Sequence, residues 1–384
     1  MRDSGWFEQL AIEEPDLAEY LDLVALGTVA DVVPLDKNNR ILAEQGIRRI
    51  RKGQCCVGIQ AILQVAGRSA SRLVASDLGF SVAPRLNAAG RLDDISIGIM
   101  LLLTDDVNLA SDIATELDNF NKDRRSIEQG MKREAESAVT ELLDGSEFDG
   151  SDTALPAALS LFNPSWHQGV VGIVASRIKE QFHRPCICFA PESDEVDCRL
   201  LKGSARSIQG LHIRDALDLV SKRSPGIIYR FGGHAMAAGL TLEKENFAAF
   251  QQAFAEVARE LLNDEDLEKR ILSDGELEAQ EIELGTASEL KRALPWGQTV
   301  PEPLFDGRFV VVNQRIVGGS HLKLALAHPQ DLHTTIDAIA FNIDVEQWPD
   351  RQVKDVEIAY SLDVNEYRGR ESVQLLVRQI NKVA

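Results

Sequence analysis

Asp31, Arg85, Arg91 and His234 each stand in a frame of small residues. The frames are Gly27-Thr28-Val29-Ala30-Asp31, Pro84-Arg85-Leu86-Asn87-Ala88-Ala89-Gly90-Arg91 and Gly232-Gly233-His234-Ala235-Met236-Ala237-Ala238-Gly239. Small neighbours let a ligand approach the backbone. A carboxylate, guanidinium forks and an imidazole are the groups that a metal-assisted attack on a phosphodiester requires.

Each group also has a structural reading. Asp31 is a divalent-metal ligand or a helix-capping aspartate. Arg85, Asn87 and Arg91 offer planar donors to phosphate oxygens, or an ion pair to Asp93 or Asp94. His234 donates to a phosphate oxygen, binds metal through a neutral imidazole, or is structural. The segment 165–172, Ser-Trp-His-Gln-Gly-Val-Val-Gly, opens a helix whose free amides attract anions, or whose glycines allow close packing. Gly203-Ser204-Ala205-Arg206-Ser207 ends a strand and puts a hydroxyl and a guanidinium on one edge, where they suit a terminal phosphate.

The chain as a whole is acidic, with net charge -19 over 384 residues. Such a chain does not coat nucleic acid indiscriminately, so any phosphate-binding surface is local. Basic runs occur at Arg48-Arg49-x-Arg51-Lys52, at Arg124-Arg125, and at Lys202 with Arg206, and each is equally a solvated face. No apolar run approaches the ~20 residues of a membrane span, and the N-terminus lacks the apolar core of a signal peptide. The five cysteines lack the paired spacing of a zinc site and read as buried thiols in a reducing, cytoplasmic setting.

The elements that must position these groups change character along the chain. Residues 16–105 read mainly as helix, with Gly27 breaking one helix and Pro84 ending another. Residues 106–143 place apolar side chains at a three-four spacing, with Arg124 the single polar member, and predict one helix of roughly 55 Å bridging two domains. A linker follows across 144–152. Strands are expected at 157–162, 186–189, 200–206, 227–229 and 237–242, and helices at 170–182, 211–220 and 247–262, which is an α/β domain. Five strand candidates from 308 to 380 predict a small barrel such as an OB fold.

The motifs and their order resemble the DHH/DHHA1 phosphoesterases, and within them the RecJ branch of single-stranded-DNA exonucleases. Residues 23–35 look like the fourth motif of the catalytic DHH domain, whose aspartate ligates metal. Residues 85–91 look like the family's Arg-Leu-Asn-Ala-Ala-Gly-Arg segment. Trp166-His167-Gln168-Gly169, Ser204-Ala205-Arg206-Ser207 and Gly232-Gly233-His234 look like DHHA1 landmarks. The resemblance implies an α/β fold in four parts. These are the C-terminal part of a DHH catalytic domain (1–105, a mostly helical remnant), a long connecting helix (106–145), a DHHA1 substrate-binding domain (152–262) and an OB-fold nucleic-acid-binding barrel (270–384). It implies 5'-to-3' hydrolysis of single-stranded DNA in repair and recombination, with Mn²⁺ or Mg²⁺ as cofactor. Asp31 and His234 are then catalytic, with Asp31 on the metal. Arg85, Asn87, Arg91, His167, Ser204 and Arg206 hold the strand and its 5' end. Expected partners are single-stranded DNA, a single-strand-binding protein and a helicase, with the protein itself a monomer.

One departure from the family matters. No Asp-His-His occurs in the chain, and Asp31 is the one recognisable metal ligand. The sequence therefore looks like the C-terminal two-thirds of such an enzyme, weakly active or inactive by itself, with apolar surface exposed on its first domain. The alternatives are a non-hydrolytic DNA-binding fragment and a protein-interaction scaffold.

Overall fold

A computed structural model describes residues 5–144, 155–193, 198–367 and 369–383. Its helices begin with α1 (Trp6–Gln9), α2 (Leu21–Ala30), α3 (Lys37–Arg51), α4 (Val57–Val65), α5 (Ala75–Asp77), α6 (Ala83–Leu92), α7 (Ser96–Leu103) and α8 (Val107–Asp144). Then come β1 (Leu159–Phe162), α9 (Val171–Phe182), β2 (Cys186–Pro191), β3 (Leu200–Arg206), α10 (Ile213–Arg223), β4 (Arg230–Gly233), β5 (Ala237–Glu243) and α11 (Phe247–Leu261). The chain ends with α12 (Leu284–Ala293) and the strands β6 (Phe305–Val317), β7 (His321–His328), β8 (Asp331–Ala340), β9 (Asp355–Tyr367) and β10 (Arg370–Val383). The linker expected across 144–152 lies, from 145 on, outside the described residues.

Two compact units result. One comprises Met1–Pro84, Met100–Thr115 and Ile271–Ala384, the other Arg85–Ile99 and Glu116–Arg270. In the first, α2 and α3 cross closely, because a side chain at Gly46 would lie 2.0 Å from the Leu21 carbonyl oxygen. The buried Asp22 carboxylate accepts the backbone N–H groups of Leu23 and Cys56 at 2.8 and 2.7 Å. Negative charge at helix starts is favourable, and here one side chain serves the first turns of both α2 and α4. Val24, Ile41 and Leu42 on these helices, and Tyr20 just before α2, expose apolar surface.

The barrel closes in the order β10-β8-β7-β6-β9. Four pairings are antiparallel and the β8–β10 pairing that closes it is parallel. Alternating side chains of all five strands fill it, including Phe309, Leu324, Ala338, Tyr360 and Leu375. The five strands expected from alternation are all present, each longer than its apolar pattern.

In the second unit the sheet order is β1-β2-β3-β5-β4 among the described residues, with β1 and β2 parallel and the rest antiparallel. One face carries Phe189, Leu201, Ala205 and Leu240 into a core with α10 and α11. The other carries Leu159, Leu161, Cys186 and Cys188 against α8 and α9. Ile227 and Ile228 are buried core residues ahead of β4 rather than a strand, and the paired glycines 232 and 233 are themselves strand.

Three local expectations are corrected. Gly27 does not break a helix; it lies exposed within α2. Pro84 does not end one; it sits inside α6, directly after a π-helical turn at Leu78–Val82. A widened turn accommodates a ring that would clash in a regular helix. In α8, Arg124 is not a lone polar residue: Asp118, Asn121, Arg124 and Glu128 are all buried, between apolar stretches at Ile113–Leu117 and Met131–Val139, while Leu109 is exposed.

The end of α2 stores strain. Val33 N–H donates to the Thr28 carbonyl at 3.1 Å and Val32 N–H to the Val29 carbonyl at 3.2 Å, a Schellman closure. Val32 therefore takes the left-handed position usually filled by glycine, at φ 53, while 61% exposed. A left-handed conformation costs an L-residue about 1–2 kcal/mol. We expect Val32→Gly to stabilise the first unit by about 1 kcal/mol, after glycine's own entropy cost. Thermal unfolding checks this, and an unchanged or lower melting temperature would show the turn to be relaxed.

Candidate nucleic-acid interface

The polar middle of α8 organises the arginines of the second unit. Arg85 reaches Asp118 with Nη2 and Nε at 2.8 and 2.9 Å, and Lys122 reaches the same carboxylate at 2.8 Å. The partner expected at Asp93 or Asp94 is thus replaced by a residue 33 positions on. Burial raises the Asp118 carboxyl, but Lys122 and Arg85 together hold it below the usual carboxylate range. One turn further, Arg124 Nη1 pairs with Glu128 at 2.7 Å and Nη2 donates to the Asn121 side-chain oxygen at 3.1 Å. Arg177 from α9 takes the second oxygen of Glu128 at 3.1 Å.

Glu128 is thereby occupied by two guanidinium groups, and two more stand nearby. Arg91, at the end of α6, donates to the Gly169 carbonyl at 3.2 Å. Arg206, at the end of β3, donates to Ser204 Oγ at 3.1 Å and to the Ala205 carbonyl at 2.8 Å. Burial first, and then a neighbouring like charge, pushes both guanidinium pKa values down: the neighbour is Arg124 for Arg91, and Arg91 for Arg206. Arginine nevertheless stays charged at neutral pH. Half-buried positive charge in excess of carboxylate is costly until an anion arrives.

Glycines bring the start of α9 onto this cluster. A Cβ at Gly169 would lie 2.3 Å from the Arg91 carbonyl oxygen. A Cβ at Gly172 would lie 2.8 Å from Ser204 Oγ and 2.9 Å from Arg206 Nη2. The close-packing reading of these glycines therefore holds, and its effect is to set the positive end of the α9 dipole beside Arg206. Trp166 anchors the preceding loop, with its indole N–H donating to Glu134 at 2.8 Å. His167 Nδ1 accepts the Gly169 N–H at 3.1 Å and its ring is exposed.

Cross-strand pairing extends the site over the sheet. Ser204 pairs with Gly239, which pairs with Gly232. Opposed residues of antiparallel strands share a face. This row therefore lies on the α9 face and presents no side chain larger than serine. Nothing lies within 4 Å of a Cβ built at Gly232, and the nearest atom at Gly239 is 3.9 Å away. The row ends at the β4–β5 turn. Gly233 there has φ 152 and a Cβ would lie 2.5 Å from the Ala237 carbonyl oxygen, so the position requires glycine. The turn is pinned from His234 N–H to Ala237 (2.8 Å), from Ser207 N–H to Met236 (3.0 Å) and from Ile213 N–H to Ala235 (2.9 Å). His234 projects from it, exposed.

Of the residues singled out in the sequence, Arg91, His167, Ser204, Arg206 and His234 all lie on the end of α6, the α9 start, the β3 end or the β4–β5 turn. Asn87 is exposed on α6, one turn before Arg91. Arg85 is held by Asp118. Asp31 belongs to the other compact unit, at the exposed C-cap position of α2, where its backbone N–H donates to the Gly27 carbonyl at 3.0 Å. Among the described residues no three His, Cys, Asp or Glu side chains gather into a metal site. One exposed carboxylate does not hold the ions ~4 Å apart that two-metal catalysis needs. Sequence reasoning missed Asp118, Asn121, Glu128 and Arg177. The i,i+4 spacing of Arg124 and Glu128 was the available signal.

Comparison with known proteins agrees with these parts. Residues 155–260 match the DHHA1 domain model and residues 273–379 the RecJ OB domain model. A single-stranded-DNA-specific exonuclease RecJ of Dickeya dadantii is 54% identical over 380 residues, covering 99% of this chain and 64% of that protein. The chain thus spans just under two thirds of the relative's length. A crystal structure of RecJ from Thermus thermophilus with Mg²⁺ superposes with a TM-score of 0.76 at 29% identity, over 98% of this chain and 54% of that one. A second, with Mn²⁺, gives 0.73 at 28% identity over 98% and 51%.

Two outcomes follow from this packing. Glu128→Ala leaves Arg124 buried without its carboxylate, and denaturant unfolding should record a loss of about 3 kcal/mol. Gly169→Ala forces the loop off α6 and should weaken binding of a phosphorylated oligonucleotide while sparing the barrel; unaltered binding would mean that the Arg91–Gly169 contact does not shape the site.

Proposed function

We propose that this chain, which belongs to the RecJ family, supplies the strand-gripping parts of a metal-dependent 5'-to-3' exonuclease acting on single-stranded DNA. The observation that carries the reading is the surplus of guanidinium charge at the start of α9, where Arg91 and Arg206 meet a helix N-terminus beside a bare sheet floor. An anion with several oxygens suits the forked donors, and the α9 dipole adds to their attraction although the N–H groups of Val170, Val171, Ile173 and Val174 are already bonded to backbone carbonyls. A 5' phosphate brings two negative charges and a single attached strand, so it satisfies the cluster and leaves one way out along the sheet.

The roles divide accordingly. Arg206, Ser204 and Arg91 bind the terminal phosphate. His234 donates to a phosphate oxygen from the rim. Asn87 contacts the strand from α6, and Arg85 acts through Asp118 to fix α6 against α8. The His167 ring fixes the loop that carries Gly169. The barrel, taken by itself, binds single strands by backbone contacts and stacking. When bound, Mg²⁺ or Mn²⁺ supplies water activation and charge neutralisation. The chain's own described residues contribute Asp31 toward that metal and do not complete its site. The polypeptide taken alone is therefore a binder of 5' ends that cuts weakly or not at all. Single-strand-binding protein and a helicase are the partners proposed for repair and recombination, with the chain a monomer in the cytoplasm. Among the described residues no helix is long and apolar enough to cross a membrane.

Arg206→Ala should lower affinity for a 5'-phosphorylated oligodeoxynucleotide by about 10- to 100-fold, the equivalent of about 1.5–3 kcal/mol for a hydrogen bond to a charged group. The 5'-hydroxyl counterpart should change much less. Equal losses on both, or none, would remove Arg206 from the terminal phosphate. Metal-dependent release of nucleotides by the purified chain should stay near background, and brisk release would overturn the binder reading.

A further inference from the structure

The sheet carries two cations beyond the terminal-phosphate cluster. Arg206 and Lys202 lie four residues apart on β3, on the same face, about 13 Å apart along the strand. Lys202 opposes Thr241 on β5, and Thr241 opposes Arg230 on β4. Lys202 and Arg230 thus share one row, two strands or about 10 Å apart. The Ser204–Gly239–Gly232 row separates them from Arg206. α9 packs over β2 and β3, which leaves the β5–β4 side of this face uncovered. A chain held at Arg206 crosses the bare row and meets Lys202 and Arg230 next.

Both cations are exposed. Lys202 is exposed and donates to the Gln168 side chain at 3.3 Å. Arg230 is 65% exposed, with Nε on Thr241 Oγ1 at 3.2 Å and Nη2 on Glu192 at 2.7 Å. Thr241 fixes the stem of the guanidinium and aims the fork. Glu192 is the one carboxylate paired with it among the described residues, and it occupies the donors that a phosphate would take.

We propose that Arg230 and Lys202 bind the next backbone phosphates of the strand and that Glu192 competes with phosphate for Arg230. This rests on the reading that Arg206 receives the 5' terminus. It sets a length preference: a mononucleotide fills the terminal site alone, whereas an oligonucleotide reaches both. It also makes Glu192 a brake, because each binding event at Arg230 must displace a formed ion pair.

Fluorescence anisotropy on the full chain tests this with a labelled 5'-phosphorylated oligothymidylate and, in competition, thymidine 5'-monophosphate. The Lys202→Ala/Arg230→Ala double variant should bind the oligonucleotide about 10-fold more weakly and the monophosphate as wild type. Its log–log salt slope should be shallower by about 0.7 for each contact removed. Glu192→Gln should bind the oligonucleotide several-fold more tightly, a gain that misfolding does not mimic. Oligonucleotide affinity unchanged in the double variant, or a parallel loss on the monophosphate, would overturn the assignment, as would weaker binding by Glu192→Gln. If Arg206→Ala keeps its 5'-phosphate preference while the double variant still loses the oligonucleotide, the second subsite stands and the terminal assignment falls.

Discussion

The structure of the second unit depends on a charge imbalance that its own residues do not settle. Arg124 and Arg177 share Glu128, Arg85 shares Asp118 with Lys122, and Arg91 and Arg206 are left with backbone carbonyls and a serine hydroxyl. The two pairs hold α6, α8 and α9 together, because removing either carboxylate strands a buried cation. The two remaining guanidinium groups are kept half-buried by that same packing. Scaffold and site are thus built from one set of arginines, distinguished by which of them received a carboxylate.

The overall charge of the chain sets the background against which this arrangement stands. At -19 the protein as a whole repels polyanions. At the α9 start Arg91 and Arg206 stand against that background, beside a sheet row whose side chains are short.

Local periodicity made much of this visible beforehand. The three-four spacing of α8, the alternation of β6–β10 and the apolar strand at 186–189 each express a pattern with a period shorter than its element, so sequence alone sufficed. The misreadings came where a distant residue decides the outcome. Gly27 stays helical because α2 is packed on α3, and Pro84 because a π turn precedes it. Arg85 was offered Asp93 and Asp94 as partners, but a helical neighbour two or three turns of chain away lost to Asp118 on a facing helix. The candidate site was legible only as separate motifs, because Arg91, Ser204, Arg206 and His234 stand on or beside different elements whose packing the sequence does not state. Arg230 was passed over, because only the β3–β5–β4 register brings it level with Lys202.

The glycine-bearing strand β4 stands at the border of its sheet, four residues long, with a neighbour on one side among the described residues. Unpaired strand borders invite a foreign chain to add itself, and aggregation follows. Brevity, two glycines and a charged arginine make this border a poor template. Lengthening β4, or exchanging its glycines for β-branched residues, would therefore do more than fill the floor of the groove: it would offer other molecules a place to zip on, and solubility would suffer before folding did.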